Sequence, residues 1–288
     1  MTAYHPGSLA VQERVGVRRL AEHVGRSIGP GIRPIAAAFL EAQPMLVLGA
    51  ADAAGRMRAS LLTGRPGFVR ATGPHTVSVA AGLPEGTPDG APVGTLALDP
   101  RTRRRMRLNG TARRSARGFT IEAEQVFSNC PKYLQKRELY GFADAPGLQT
   151  GPVRHGTALT PDQERLIRAA DTFFVATGAP DGVDASHRGG NPGFVTVASP
   201  TELSWTDYPG NAMFLTLGNL EADGRAGLLF LDWATGTTLQ LSGRAHTVYG
   251  AEGNRVVRFR LDHATETPGA SPLRWSAPDY SPANPPLS

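Results

Sequence analysis

The chain has 288 residues, a net charge of +5 and a hydrophobic fraction of 40%. That is length enough for two domains with separate cores, and Gly 34 with Pro 24 favours a turn-rich β protein over a helical bundle. No apolar run approaches the ~18–20 residues of a membrane span, the N-terminus does not read as a secretory signal, and a lone Cys130 rules out an internal disulfide and fits a reducing cytoplasm.

In chain order, residues 9–28 carry Val17, Leu20, Ala21, Val24 and Ile28 at helical spacing, before a Gly-Pro-Gly break at Gly29–Gly31. A short helix is expected from Pro34 to Ala42, with proline in its first turn. Met45–Ala50 reads as a strand and Asp52–Gly55 as a turn. Further strands follow at about 57–62, 67–71, 75–80, 93–98, 104–113 and 118–126.

The same order then returns. Thr160-Pro161-Asp162-Gln163 spells an N-cap, an N1 proline and a capping-box glutamine, opening a helix to about Ala170. Phe173–Thr177 is a strand and Ala179-Pro180-Asp181-Gly182 a turn. Strands at about 184–187, 193–198, 201–206, 225–231, 237–248 and 255–263 complete the second set.

The parallel extends to the residues themselves. Ser60-Leu61-Leu62-Thr63-Gly64-Arg65-Pro66-Gly67-Phe68-Val69 matches Ser186-His187-Arg188-Gly189-Gly190-Asn191-Pro192-Gly193-Phe194-Val195 without a gap. Val93-Gly94-Thr95-Leu96-Ala97-Leu98-Asp99 matches Ala226–Asp232, and Met106–Ala112 matches Leu239–Ala245. The repeat predicts a mainly β protein of two tandem six-stranded barrels with short helices, forming an internal pseudo-dimer. The divisions expected are an N-terminal helical segment 1–43, a first barrel 44–142 with a degenerate site, a linker 143–159, a second barrel 160–267 with the main site, and a Pro-rich tail 268–288.

The copies diverge where chemistry would sit. Phe68 to Asp99 spans 31 positions, whereas Phe194 to Asp232 spans 38. The added length is Asp207-Tyr208-Pro209-Gly210-Asn211 running into Ala212–Leu220, read as a turn feeding a helix that starts near Asn211, whose free amides suit a phosphate. Copy one has the Pro/Gly-rich Gly82–Pro92 there, which cannot be a helix. It also has Leu61 and Leu62 in place of His187 and Arg188, and arginine suits bidentate phosphate contact.

Asn129-Cys130-Pro131-Lys132-Tyr133-Leu134-Gln135 leaves the last strand of copy one. It is either a polar strap reaching copy two's site or a helix start capped by Asn129. Cys130 reads as a small buried residue rather than a nucleophile. The run Arg101-Thr102-Arg103-Arg104-Arg105-Met106-Arg107 reads as a solvated hairpin turn, because its counterpart Trp233–Thr238 is a plain turn. It lacks the interleaved aromatics of a nucleic-acid surface, so neither a nucleic-acid nor a membrane partner is expected.

Together these segments resemble the pyridoxamine 5′-phosphate oxidase-like, FMN-binding split-barrel superfamily, and within it the tandem flavin-nucleotide-binding type. The carrying residues are Asp184–Val195, Asp207–Phe214, Thr216–Leu220, Gly227–Asp232 and Asn129–Tyr133, within a likeness covering about residues 5–285. The resemblance implies Greek-key split barrels paired face to face, with FMN in the seam. Its phosphate would be held by Ser186, His187, Arg188, Asp207, Tyr208 and Asn211, with Thr216 and Asn219 beside them and Asn129, Lys132 and Gln135 over the flavin ring. The chain departs from many relatives in having Ala212-Met213, not basic residues, after the Pro-Gly-Asn turn, which shifts positive charge onto Arg188 and the helix-start amides.

The implied activity is FMN-dependent oxidation–reduction of a small molecule, with hydride or electrons passing at flavin N5. Electrons would come from NAD(P)H or a separate reductase or ferredoxin. His187 is the one candidate for proton transfer in the motif region, and no metal is expected. The alternatives are a flavin carrier without chemistry, a barrel binding haem (with His187, His155 or His246 as ligand) or a deazaflavin, and a cofactor-free binding module. Either a monomeric pseudo-dimer or a homodimer satisfies the repeat.

Overall fold

The computed structural model describes residues 4–142, 151–180 and 182–286. Residues 143–150 of the expected linker, and Asp181 of the turn, lie outside the described residues. The N-terminal segment forms α1 (Pro6–Val15), α2 (Arg18–Gly25) and α3 (Pro34–Ala42). The single helix expected over 9–28 is broken because Gly16 takes φ 74°, turning its N–H back onto the Gln12 and Glu13 carbonyls. Among the described residues no helix is long and apolar enough to cross a membrane.

The first half is one antiparallel sheet of β1 (Met45–Ala51), β2 (Met57–Thr63), β3 (Val69–Ala71), β4 (Thr76–Val79), β5 (Pro92–Asp99), β6 (Arg104–Ser115) and β7 (Gly118–Ser128), in the order β2-β1-β5-β6-β7-β4-β3. After β8 (Leu139–Phe142), β9 (Arg154–Gly156) and α4 (Pro161–Ala169), the second half repeats it. Its strands are β10 (Thr172–Ala179), β11 (Gly182–Gly189), β12 (Val195–Ser199), β13 (Glu202–Thr206), then α5 (Leu215–Ala222), β14 (Arg225–Leu231), β15 (Thr238–Tyr249) and β16 (Arg255–Thr267). The order is β11-β10-β14-β15-β16-β13-β12. Among the described residues the main path of each sheet therefore has seven strands, not six, because β1 and β10 join the ladder instead of merely leading into it, and β9 is an eighth strand of the second sheet. Within the expected linker β9 pairs with β16.

The ends of each sheet, β2 and β3 or β11 and β12, are chain neighbours joined by five residues. No ladder among the described residues joins them, so each sheet curls around its own core and stays split. Side chains from all seven strands of the first half meet in one cluster around Phe68, Met106 and Phe119. The second half is filled by Phe173, with Trp205, Phe230 and Phe194 rings 5.0–5.7 Å away. The shared Pro-Gly-Phe has the same cause twice: Gly67 and Gly193 both sit at φ 95°, a region that favours glycine, and this turns Phe68 and Phe194 inward. The capping box on α4 forms as its sequence predicts.

A third apolar cluster, including Met45, Val47, Phe174 and Leu229, fills the seam between the halves. Contacts across it are reciprocal: β5 and β6 lie on β11, and β14 and β15 lie on β2. The aligned glycines Gly94 and Gly227 mark the two crossings. A Cβ on Gly94 would stand 2.5 Å from Asp184 Cα, and one on Gly227 would stand 2.7 Å from the Met57 carbonyl. Gly227→Val is expected to cost roughly 1–3 kcal/mol by forcing the halves apart. A urea titration checks this, and an unchanged midpoint would mean that the seam is looser than its glycines require.

The C-terminal segment is not a free tail. β17 (Leu273–Trp275) pairs with β8, and Lys136 and Asp279 form a bridge. Gln135 Oε1 accepts from the Ser281 N–H at 2.8 Å and from Asn284 Nδ2 at 3.1 Å. The end of the second half is thus sewn along the exit of the first.

Candidate functional site

Where β6 crosses β11, strand alternation turns Arg105, Arg107 and Asn109 onto the seam. Arg107 Nη1 donates to Asp184 Oδ2 at 2.8 Å, both side chains being nearly buried. Ser186 donates to the same oxygen at 3.3 Å and shares a 2.9 Å hydrogen bond with Thr216 on α5. At the mirror-related crossing Arg58 stands where Asp184 does and Gln240 where Arg107 does, and among the described residues no ion pair spans it. There Gln240 donates to the Ala59 carbonyl and Ser60 Oγ, and Ser242 to the Met57 carbonyl.

Arg105 reaches from the first half into the second. Its Nη1 lies 2.7 Å from His187 Nδ1, and its Nη2 donates to the Cys130 carbonyl at 2.7 Å. A guanidinium only donates, so His187 Nδ1 accepts and the ring proton sits on Nε2. Burial, and then the charges of Arg105, Arg188 and Arg107, push the His187 pKa well below its usual value. Burial, with Arg107 and Arg188 nearby, lowers Arg105 itself to about 9. Arg188 pairs with Asp207 at 3.5 Å, but Arg255 holds the same carboxylate at 3.1 Å.

The neutral imidazole links stability to pH. The unfolded chain binds a proton near pH 6.5 that the folded His187 refuses, so its contribution is complete above that pH and is lost as pH falls. The loss is at most about 1.4 kcal/mol per pH unit. Urea midpoints at pH 7.5 and 5.5 should differ more for the native chain than for His187→Gln. Equal differences would show that His187 titrates normally.

The turn after β13 forms the facing wall. Asn211 Oδ1 accepts from the Met213 N–H at 3.2 Å, and Ala212 and Phe214 adopt left-handed φ values of 61° and 54°. The helix starts at Leu215, four residues later than the sequence predicts, because Phe214 in that conformation is its N-cap. No side chain caps it. The first ladder bond runs from Gly218 N–H to the Phe214 carbonyl, so the amides of Leu215, Thr216 and Leu217 take no part in the helix. Met213 is buried with Tyr4, Phe127 and Leu215, and Gln12 on α1 donates to its carbonyl. A basic residue at Met213 would enter this apolar cluster. The charge comes instead from Arg105 across the seam. At the rim Tyr133, left-handed at φ 64°, donates to the Pro209 carbonyl and sets its ring 5.2 Å from Tyr208.

These walls enclose a cavity of about 90 Å³. Asn129, Lys132, His187, Arg188, Asp207, Tyr208, Asn211 and Thr216 line it, as do Arg105 and Arg107. Arg105 Nε, His187 Nε2, Arg188 Nε and Asn129 Oδ1 are buried there without a hydrogen-bond partner. Four guanidiniums, of Arg105, Arg107, Arg188 and Arg255, meet the two carboxylates of Asp184 and Asp207. Among the described residues Arg105 makes no ion pair. An excess of cations with unused N–H donors fits a phosphate-sized dianion.

Three candidates from the sequence stand apart. Ser186 lies behind the wall, bonded to Thr216 and Asp184. Asn219 donates to the Thr177 carbonyl and hydroxyl, tying α5 to β10. Gln135 is spent on the carbonyls of Tyr133, Asp171 and Gly190 and on the tail. The segment after Asn129 is a strap, not a capped helix. Of the other histidines weighed as ligands, His155 stacks on His263 in a separate cleft and His246 lines a third.

The sequence reading missed Arg105 and Arg107 by taking their run as a solvated turn. Only Arg101 to Arg103 belong to that turn, Arg101 pairing with Asp99 and Arg103 with Asp279. The period of two in a strand starting at 104 was the available signal.

No protein-family model matches the sequence, and no curated protein matches it. Solved structures similar to it include an FAD-binding protein of Mesorhizobium loti, at 10% identity and TM-score 0.31, covering 41% of this chain and 97% of that one. A Clostridium acetobutylicum protein related to general stress protein 26, of the pyridoxinephosphate oxidase family, is 10% identical with TM-score 0.31, covering 40% of this chain and 91% of that one. General stress protein 26 of Bacillus anthracis is 8% identical with TM-score 0.28, covering 38% and 91%. Of these three, the Clostridium acetobutylicum protein is the one described as belonging to the pyridoxinephosphate oxidase family.

Proposed function

We propose that the chain binds FMN, phosphate first, in the cavity where β6 crosses β11, and serves as a flavin-dependent oxidoreductase acting on a small molecule. The observation that supports this is the cluster of buried, unpartnered nitrogens on Arg105, His187 and Arg188, with Arg105 lacking a carboxylate. Arg105 and Arg188 supply charge, and neutral His187 supplies an oriented Nε2–H. The amides of Leu215–Leu217 add donors at the start of α5. Tyr133 and Tyr208 cover the rim and limit water. When bound, the flavin supplies hydride or electron transfer at N5.

In this reading His187 binds and does not move protons, because its depressed pKa and its bond from Arg105 hold it in one tautomer. One site per chain is expected, since the mirror-related crossing has Leu61, Thr238 and Gln240 where the first has His187, Arg105 and Arg107. Duplication followed by loss of one site accounts for the repeat. Comparing FMN with riboflavin in equilibrium titrations tests the phosphate assignment. FMN should bind about 100-fold tighter, as befits several charge-assisted hydrogen bonds. Equal affinities would remove the phosphate from this cavity.

A further inference from the structure

A second cavity, of about 320 Å³, opens on the same seam one step along the strands that build the first. β6 gives it Asn109 and Thr111 where it gave Arg105 and Arg107, and β11 gives Asp184 where it gave His187 and Arg188. Leu215 walls both, and the Arg107–Asp184 pair stands between them.

The two cavities differ in chemistry. Among the described residues no lysine or arginine lines the second. Its carboxylates are Asp184, already balanced by Arg107, and Glu124 at the exposed rim, which accepts from Thr111 Oγ1 at 3.1 Å. Tyr4 and His5 also line it, and Glu124 is its one carboxylate without a cation partner among the described residues. Asn109 is 7% exposed, and its Nδ2 donates to Gln125 Oε1 at 3.2 Å and Asp184 Oδ1 at 3.3 Å. Two acceptors facing one atom fix that atom as the nitrogen. The other end, Oδ1, is a buried acceptor without a donor. Such an oxygen favours a ligand that brings an N–H or O–H, and Glu124 disfavours an anion.

We infer that this second cavity binds an uncharged or cationic small molecule presenting an N–H donor to Asn109, and this binding does not rest on the flavin reading.

Benzamide, benzamidine and benzoate share one ring and size and differ in charge and donors, so they serve as probes. Each is titrated by calorimetry into the full chain, with and without saturating FMN. Benzamide and benzamidine should bind, with benzoate at least about tenfold weaker. Asn109→Leu should weaken benzamide about tenfold by removing the acceptor. Thr111→Phe, which narrows the cavity without touching Asp184, should weaken it too and guards against a folding defect in the first variant.

Benzamide must still bind in Arg105→Ala protein that has lost FMN. Benzoate binding as tightly as benzamide, or no probe binding, would overturn the inference. Displacement of benzamide by FMN would also overturn it, by making the cavity the flavin's own seat, while leaving the flavin reading intact.

Discussion

Arg105→Ala is expected to weaken FMN binding about 10- to 150-fold, the ~1.5–3 kcal/mol of a hydrogen bond to a charged group, and to leave riboflavin binding nearly unchanged. Arg105 is the guanidinium in the cavity without a carboxylate partner, so its charge is the one that a phosphate would satisfy. Its removal also frees His187 Nδ1 and releases the carbonyl of Cys130, loosening the strap that carries Tyr133. Arg188→Ala should cost less, because Asp207 keeps Arg255 as a partner. The pH profile adds a second check. His187 stays neutral through the neutral range, so FMN affinity should be flat from about pH 6.5 to 8. It should fall above about 9, where Arg105 loses its proton. Affinity that instead rises below pH 6.5 with proton uptake would show that an imidazolium holds the phosphate. Fluorescence quenching of free flavin measures all of these.

Asp184→Ala should be the most damaging change for the fold. It strands Arg107, 8% exposed, without its carboxylate and takes an acceptor from Asn109 and Ser186. Breaking one partner of a buried pair costs about 3–5 kcal/mol. Replacing both, as Asp184→Leu with Arg107→Met, should recover most of that loss, because the surrounding seam is apolar. Denaturant titrations of the three proteins decide the matter. A single-variant loss under about 1 kcal/mol would mean that water reaches Arg107 and that the seam is more open than the described contacts.

Much of the fold was readable in the residues because it depends on local chemistry and on repetition. Gly67 and Gly193 turn the same corner, Thr160 and Gln163 cap α4, and Gly94 and Gly227 mark the same crossing in each half. What escaped depended on long-range geometry. The sequence shows that Met45–Ala50 is a strand but not that it joins the ladder as a seventh. The start of α5 moved to Leu215 because of the left-handed turn at Ala212 and Phe214, which neither residue's own preference announces.

The cavity was half legible. His187, Arg188, Asp207, Tyr208 and Asn211 come together because they lie on one strand and one turn. Arg105 joins them from 82 positions away in sequence, and nothing local separates it from the solvated Arg104 except the alternation of a strand. Gln135 and Asn219 looked equally apt by residue type, but backbone carbonyls take up their amides.

The most direct test of a flavin site is the visible spectrum of the purified chain, with the released chromophore identified by mass. The account predicts absorbance near ~450 nm and about one equivalent of FMN per chain, taken up from added FMN if it is lost on purification. A colourless protein that fails to take up FMN would contradict it and leave a basic cavity built for some other anion. A Soret band would replace flavin with haem.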